Sequence, residues 1–164
     1  MQKTASSPDR TRSTGPIYRE RLAPSLKILS AAAIVAPMVS LVFVKMNSVV
    51  ALALGVASAA VLILVLIFLA PVISVSGREL LAGRAHIEAA HLGEPLALSG
   101  DEARAVRGVN LDPRGWYQIR GGIDGIVFVE NTDPDDPVRS WTISSRTPDR
   151  LAAAIRRAKS GASA

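Results

Sequence analysis

The stretch FVKMNSVVA (residues 43–51) contains Lys45, the one charged residue between positions 28 and 75, with Asn47 and Ser48 beside it. As a single helix, residues 28–75 would extend roughly 70 Å at 1.5 Å per residue, more than twice a hydrocarbon core of about 30 Å. Two passes fit instead. Residues 28–44 form a first span of 17 residues, close to the minimum length, and residues 49–70 form a longer second span. Pro71 ends the second span, because proline has no helix donor and restricts the residue before it. KMNS is therefore the turn of a helical hairpin: Lys45 can snorkel to the interface, and Asn47 and Ser48 suit the turn and the cap of the second helix.

Two other readings fit less well. A chain of 164 residues is too small to surround two helices this apolar on every side in a soluble core. A cleaved signal peptide would place its cleavage site at ALA (51–53), which lies inside the next apolar run, and its apolar region would exceed the usual 7–15 residues.

The net charge of +5 is unevenly placed. Residues 1–27 carry Lys3, Arg10, Arg12, Arg19, Arg21 and Lys27 against Asp9 and Glu20, a net of +4, and Lys45 adds one. From Ser76 onward basic and acidic residues balance at twelve each. A nucleic-acid-binding domain carries its basic footprint on the fold itself, so nucleic acid is not an expected partner. The basic residues before the first span, with Arg78 and Arg84 soon after the second, place both termini in the cytoplasm by the positive-inside bias. The expectation is a multi-pass protein of the cell (plasma) membrane whose first partner is the lipid bilayer. Cysteine is absent, which removes disulfides, thiolate chemistry and cysteine zinc sites.

Neither span contains an ionisable residue at depth, so no ion or proton pathway is expected. Small residues recur at every fourth position: Ala32, Ala36 and Ser40 in the first span, Ala51, Gly55 and Ala59 in the second. That spacing puts each trio on one helix face, where close backbone approach favours packing. An alanine-rich span also produces such ladders by chance.

Beyond Pro71 the pattern alternates, as strands do. VISVSGREL gives a strand, a turn at Ser76-Gly77 and a second strand. RAHIEAAHLGEPLALS gives two short strands or one bulged strand, and SGDEARAVRG a short helix. GWYQIRGGIDGIVFVENT predicts a hairpin around glycines 121–125, DPDDP a turn, and VRSWTISS a strand with Trp141 and Ile143 on one face. Thr147-Pro148-Asp149 opens an amphipathic helix with Leu151, Ile155 and Ala158 on one side. The fold class is thus membrane α+β: a transmembrane hairpin followed by a small, mostly β cytoplasmic domain with a C-terminal helix. Six or seven strands closed by one helix match a PH-like open barrel by element order. The organisation expected is a basic arm at 1–25, partly disordered, the hairpin at 26–71, the β-rich domain at 72–159 and a disordered tail at 160–164. Residues 76–160, balanced in charge, are expected to form a soluble unit by themselves.

YRERLAP before the first span, GREL and AGRAHI after the second, DPRGWYQIR, and DPDDPVRSWTISSRTPDRLAAAI together resemble the actinobacterial membrane family catalogued as domain of unknown function 3093 (DUF3093). The resemblance covers roughly residues 16–157. It implies a small integral membrane protein with a cytoplasmic tail and no established activity, and it supplies no catalytic residues.

Candidate chemistry is sparse. On one continuous strand His86 and His91 would lie on opposite faces and could share a metal only if a bulge at Ala89-Ala90 turned one over, and no third ligand is clear beyond Glu88 or Glu94. Asn131, Asp133, Asp135 and Asp136 resemble the start of a calcium loop, but Pro134 and Pro137 intervene and the glycine and late glutamate are missing, so a turn between strands is the reading of these residues. Gly121, Gly122 and Gly125 precede a strand, whereas a phosphate loop precedes a helix. Ser99, Ser144 and Ser145 have no histidine–acid partner at a recognisable spacing. No catalytic residue, metal or cofactor is expected, and an enzyme is the third-ranked reading. Two basic clusters remain. Arg19, Arg21 and Lys27 lie at the membrane surface, and Arg150, Arg156 and Arg157, with Lys159, lie on the closing helix. They serve either topology and helix-end charge preference or contact with anionic lipid headgroups. The function expected is a membrane-anchored binding or scaffolding module. The alternative is a small accessory subunit of a larger membrane complex, with a protein partner in the membrane or cytoplasm.

Overall fold

The computed structural model describes residues 15–45 and 47–162. A first strand, β1 (Tyr18–Arg21), precedes the apolar helices α1 (Leu26–Ala33), α2 (Val35–Phe43) and α3 (Ser48–Phe68). The strands β2 (Val72–Ser76), β3 (Glu79–Ala82), β4 (Ala85–Glu88) and β5 (Leu96–Leu98) follow, then α4 (Gly100–Val106). The chain ends with β6 (Gly115–Gln118), β7 (Ile126–Glu130), β8 (Ser140–Ser144) and α5 (Pro148–Ala162).

The apolar helices fold back on one another. Asn47 caps α3 by accepting the backbone N–H groups of Val49 and Val50 at 2.9 and 3.1 Å. The first helix breaks at Ile34, between α1 and α2, just before Pro37, whose ring crowds the preceding turn. Ala32, Ala51, Gly55 and Ala59 are buried, and a Cβ on Gly55 would collide with the Ala36 carbonyl and the Ser40 hydroxyl. Only a residue without a side chain fits there. Each of the two helical runs, Leu26–Phe43 and Ser48–Phe68, is long and apolar enough to cross a membrane. Their most apolar windows are only 6% and 17% buried, whereas the core helix of a soluble protein is mostly buried.

The β region forms two four-stranded sheets. One is an antiparallel meander in the order β1-β2-β3-β4, and the other has the order β5-β7-β8-β6. Alternation explains the buried faces. Ile73 and Val75 of β2, Leu80 and Ala82 of β3, Val127 and Val129 of β7, and Trp141 and Ile143 of β8 point into one core. Leu151, Ala152, Ala154, Ile155 and Ala158 of α5 enter the same core, as does Leu22 just after β1.

Several expectations change. The arm at 1–25 contributes a strand, β1, which pairs antiparallel with β2 from Tyr18↔Val75 to Arg21↔Val72. The domain therefore begins before the helices and resumes after them, and residues 76–160 alone would lack β1 and nearly all of β2. The hairpin expected around glycines 121–125 does not form. β8 lies between β6 and β7, pairing parallel with the first and antiparallel with the second. The mostly buried β8 (Ser140, Thr142 and Ser144 on one side, Trp141 and Ile143 on the other) is the central strand that separates them. Helix α5 continues through Ala162, beyond the limit of 159 expected from the sequence. The expectations for residues before Gly15 and for 163–164 lie outside the described residues.

Candidate functional site

The site begins where the sheet meets the helices. Arg21 and Val72 are paired at the end of the β1–β2 ladder, and the Leu22 N–H donates to the Pro71 carbonyl at 2.9 Å. Arg21 reaches the C-terminal end of α3 and donates to the carbonyls of Ile67 and Phe68 at 2.9 and 3.3 Å. A cation there meets carbonyls that have no helical partner and the negative end of the helix dipole.

The start of α5 is tied to β1 at the same end. The Tyr18 and Ser145 hydroxyls both donate to Glu20 Oε2 at 2.6 Å, and the Arg146 N–H donates to Glu20 Oε1 at 2.9 Å. Thr147 Oγ1 lies 2.9 Å from the phenol oxygen. The Arg146 guanidinium donates to the carbonyls of Arg21 and Ala23 at 3.2 and 2.6 Å and lies 3.8 Å from Glu20 Oε1. Burial, reinforced by the hydrogen bond to Glu20, pushes the Tyr18 phenol above its ordinary 10.0. Apart from the bond between Tyr18 and Glu20, these contacts join residues more than a hundred positions apart, so the sequence contains no local signal of them.

Between β1 and α5 lies a cleft of about 570 Å³, lined by Arg19, Arg146, Arg150 and Arg157 together with Ile17, Tyr18, Glu20, Thr147 and Ala154. Arg150, Ala154 and Arg157 share one face of α5, by the helical spacings of three and four. Glu20 is the only acid among the described residues that line the cleft, and its side chain is 12% exposed, with its oxygens occupied as described. Arg19, Arg150 and Arg157 are exposed and make no ion pair with a described residue. Of the residues singled out in the sequence, the fold thus brings together Arg19, Arg150 and Arg157 and adds Arg146. Arg156 points elsewhere, pairing with Glu94 and donating to the Pro95 carbonyl at 3.0 Å. Lys27 is exposed in the first turn of α1. The small residues of the helices (Ala32, Ala36, Ser40, Ala51, Gly55, Ala59) belong to the helix contact, not to this site.

Charge is sorted along the domain. The β3–β4 turn with Arg84 is at the helix end of the fold, since the Gly83 N–H donates to the Val72 carbonyl at 3.0 Å. Gly122, with φ +79°, is at the same end, packed against Ser25 where a side chain would not fit. Arg107 reaches this end as well, donating to the Ile123 carbonyl at 2.9 Å beside Asp124. The acidic loop after β7 is at the opposite end, with Glu130, Asp133, Asp135 and Asp136 near Asp112.

That loop borders a second cleft, of about 720 Å³, but its acids serve the loop itself. Asn131 Oδ1 accepts the Asp133 N–H, Asp133 Oδ1 accepts the Asp135 N–H, and Asp136 Oδ1 accepts the Val138 N–H. Asn131 Nδ2 donates to Asp136 Oδ2 at 2.8 Å. These are Asx turns, the use that a loop rich in Asn, Asp and Pro has for its side chains. His91 Nδ1 lies 3.2 Å from Asp133, and His86 is exposed on β4. Among the described residues no three His, Cys, Asp or Glu side chains are grouped to hold a metal. Ser145 donates to Glu20 and Ser144 accepts from the Arg120 N–H, so both hydroxyls are structural.

A family model described as "Protein of unknown function (DUF3093)" matches residues 17–155. Neither the comparison with curated proteins nor that with solved structures finds a match.

Proposed function

The chain belongs to the DUF3093 family, and from that premise we propose that it is a membrane-anchored binding module. Its two apolar helical runs cross the plasma membrane as a hairpin, with both termini in the cytoplasm and the Lys45–Asn47 turn outside. The β domain lies on the cytoplasmic surface with its arginine-rich end toward the bilayer. In this reading the domain is a PH-like variation, two sheets closed by a C-terminal helix. It departs from that pattern in the parallel β6–β8 pair and in the strand that precedes the anchor.

The β1–β2 ladder carries the proposal. Paired strands lead directly into the first and out of the second helical run, and Arg21 bonds to the last carbonyls of α3. Only residues 22–25 and 69–71 separate the paired strands from the helices, and the Leu22 N–H bonds to the Pro71 carbonyl across them, so whatever orients the helices also orients the domain. In a bilayer the outward faces of Leu41, Val42, Leu52 and Val61, all exposed, meet acyl chains instead of water. Arg21, Lys27, Arg84 and Arg146 then surround the point of entry, where an anionic leaflet attracts each exposed cation by about 1 kcal/mol. Positive charge at this end also satisfies the positive-inside bias.

Topology tests the reading. The chain has no cysteine, so Asn47→Cys introduces one thiol. A membrane-impermeant maleimide added to intact cells labels it. Labelling confined to inside-out membranes, or release of the protein by alkaline carbonate, contradicts the proposal.

A further inference from the structure

We propose that the arginine cleft between β1 and α5 binds the phosphomonoester headgroup of a membrane lipid. This rests on the reading of the domain as seated on the bilayer, and it adds the ligand class to that reading.

Depth is the first argument. Arg21 marks the end of α3, and at a strand rise of about 3.3 Å per residue Arg19 is about 7 Å further from the hydrocarbon core. The headgroup layer is about 5–8 Å thick on each side of the bilayer. The end of the cleft nearest the helices, lined by Arg19, Arg146 and Thr147, is therefore at the level of lipid phosphates. Helix α5 leads away from the membrane, because its far end at Gly161 accepts a hydrogen bond from Arg78 at the opposite turn of the sheet. From Arg150 to Arg157 the cleft rises about 10 Å along the helix. It is open at headgroup depth and extends toward the cytoplasm.

Charge is the second argument. Four arginines come from β1, from the segment after β8 and from α5, against one carboxylate whose oxygens already accept from Tyr18, Ser145 and the Arg146 N–H. Arg19, Arg150 and Arg157 have no ion-pair partner among the described residues, so their forked donors are available to an anion. Guanidinium groups bind phosphate oxygens in pairs, and a phosphomonoester offers three such oxygens and up to two charges. A phosphodiester offers less of both.

The test uses the full chain purified in a neutral detergent. Binding is measured calorimetrically for dioctanoyl phosphatidic acid, dioctanoyl phosphatidylglycerol, glycerol 3-phosphate and inorganic phosphate. Phosphatidic acid is expected to bind at least about tenfold more tightly than phosphatidylglycerol, the difference that one charge-assisted contact supplies, and at least about tenfold more tightly than glycerol 3-phosphate and inorganic phosphate, which lack the acyl chains that the bilayer or detergent holds at the mouth of the cleft. Arg150→Gln with Arg157→Gln, and separately Arg19→Gln, should each weaken it about tenfold or more while leaving the ligand-free melting temperature unchanged. Arg114→Gln with Arg139→Gln, two positions at the far end of the domain, should leave binding unchanged. Equal loss in that distal pair would show attraction by net charge and overturn the site. Undiminished binding in both cleft variants would do the same. Equal affinity for inorganic phosphate would overturn the lipid as its source. None of these outcomes depends on the labelling of Asn47→Cys, so the anchoring reading and the cleft fail separately.

Discussion

Removing β1 should unfold a domain that otherwise looks complete. Residues 70–162 contain seven of the eight strands, α4 and α5. They lack Leu22, which is fully buried in the core shared by both sheets and α5, and Glu20, which accepts from the buried Ser145 hydroxyl. Losing a buried leucine costs about 2–5 kcal/mol, and leaving a buried hydroxyl without its partner costs about 1–3 kcal/mol. The β1–β2 ladder bonds, at about 1 kcal/mol each, are largely offset by the entropy of ordering the strand. The loss of about 3–8 kcal/mol compares with a total stability of about 5–15 kcal/mol for a small domain. The perturbation is made on a soluble chimera in which residues 15–23 are joined to residues 70–162 by a Gly/Ser turn of about four residues. The antiparallel β1–β2 register permits so short a connection. Urea unfolding is followed by the fluorescence of Trp116 and Trp141, whose ring centroids are 6.0 Å apart. At a urea m-value of about 2 kcal/mol/M, deleting residues 15–23 should lower the midpoint by about 1.5–4 M or abolish the transition. Leu22→Ala in the chimera should account for at least half of that shift. If the 70–162 fragment unfolds cooperatively at the midpoint of the chimera, β1 is an ornament and the argument for a rigid joint at the membrane fails.

Two further outcomes follow from other parts of the fold. Gly55→Leu drives a side chain into the Ala36 carbonyl and Ser40, and should destabilise the helix contact by about 1–3 kcal/mol or more; Gly55→Ala should cost less. The melting temperature of the full chain in mild detergent should fall in the order wild type, Gly55→Ala, Gly55→Leu, and equal values would show that the close approach is unimportant. For Tyr18, the raised phenol pKa favours the protonated form in the folded state. Its contribution is therefore fully present below the ordinary 10.0 and is lost as pH rises from there through the folded value. Urea midpoints of the chimera should accordingly fall above pH 10, and Tyr18→Phe should flatten that fall. An unchanged slope in the variant would remove Tyr18 from the alkaline response.

The site was only partly legible. Arg19, Arg150 and Arg157 stood out as cations, but Arg156, adjacent to Arg157, had the same appearance in the sequence and is paired with Glu94 on another side of α5. Arg146 carried no signal, because its partners, the carbonyls of Arg21 and Ala23, are brought to it by strand pairing and not by its neighbours. The balanced charge beyond Ser76 likewise hid a sorted distribution. The fold carries the acids around Glu130–Asp136 to one end, where they outnumber Arg114 and Arg139, and leaves Arg84, Arg107 and Arg146 at the other.

What could be read directly was whatever depends on one segment and its solvent. Length and unbroken apolarity identified the two helical runs, expected at 28–44 and 49–70 and found within 26–43 and 48–68, Asn47 announced its cap, and alternation located β2, β3, β7 and β8 and put Trp141 and Ile143 on one face. Each of these is a local free-energy balance, summed over neighbouring residues. Partners were another matter. Tyr18–Arg21 is too short and too polar to announce itself as a strand, yet it completes a sheet with residues more than fifty positions away. Glycines 121–125 look like a hairpin turn, yet β8 lies between the strands they join. A period of two tells which face of a strand is buried but is the same for every possible neighbour. The choice among neighbours is made by the core they jointly close and by the bonds at its edges, and those terms exist only when distant segments are together.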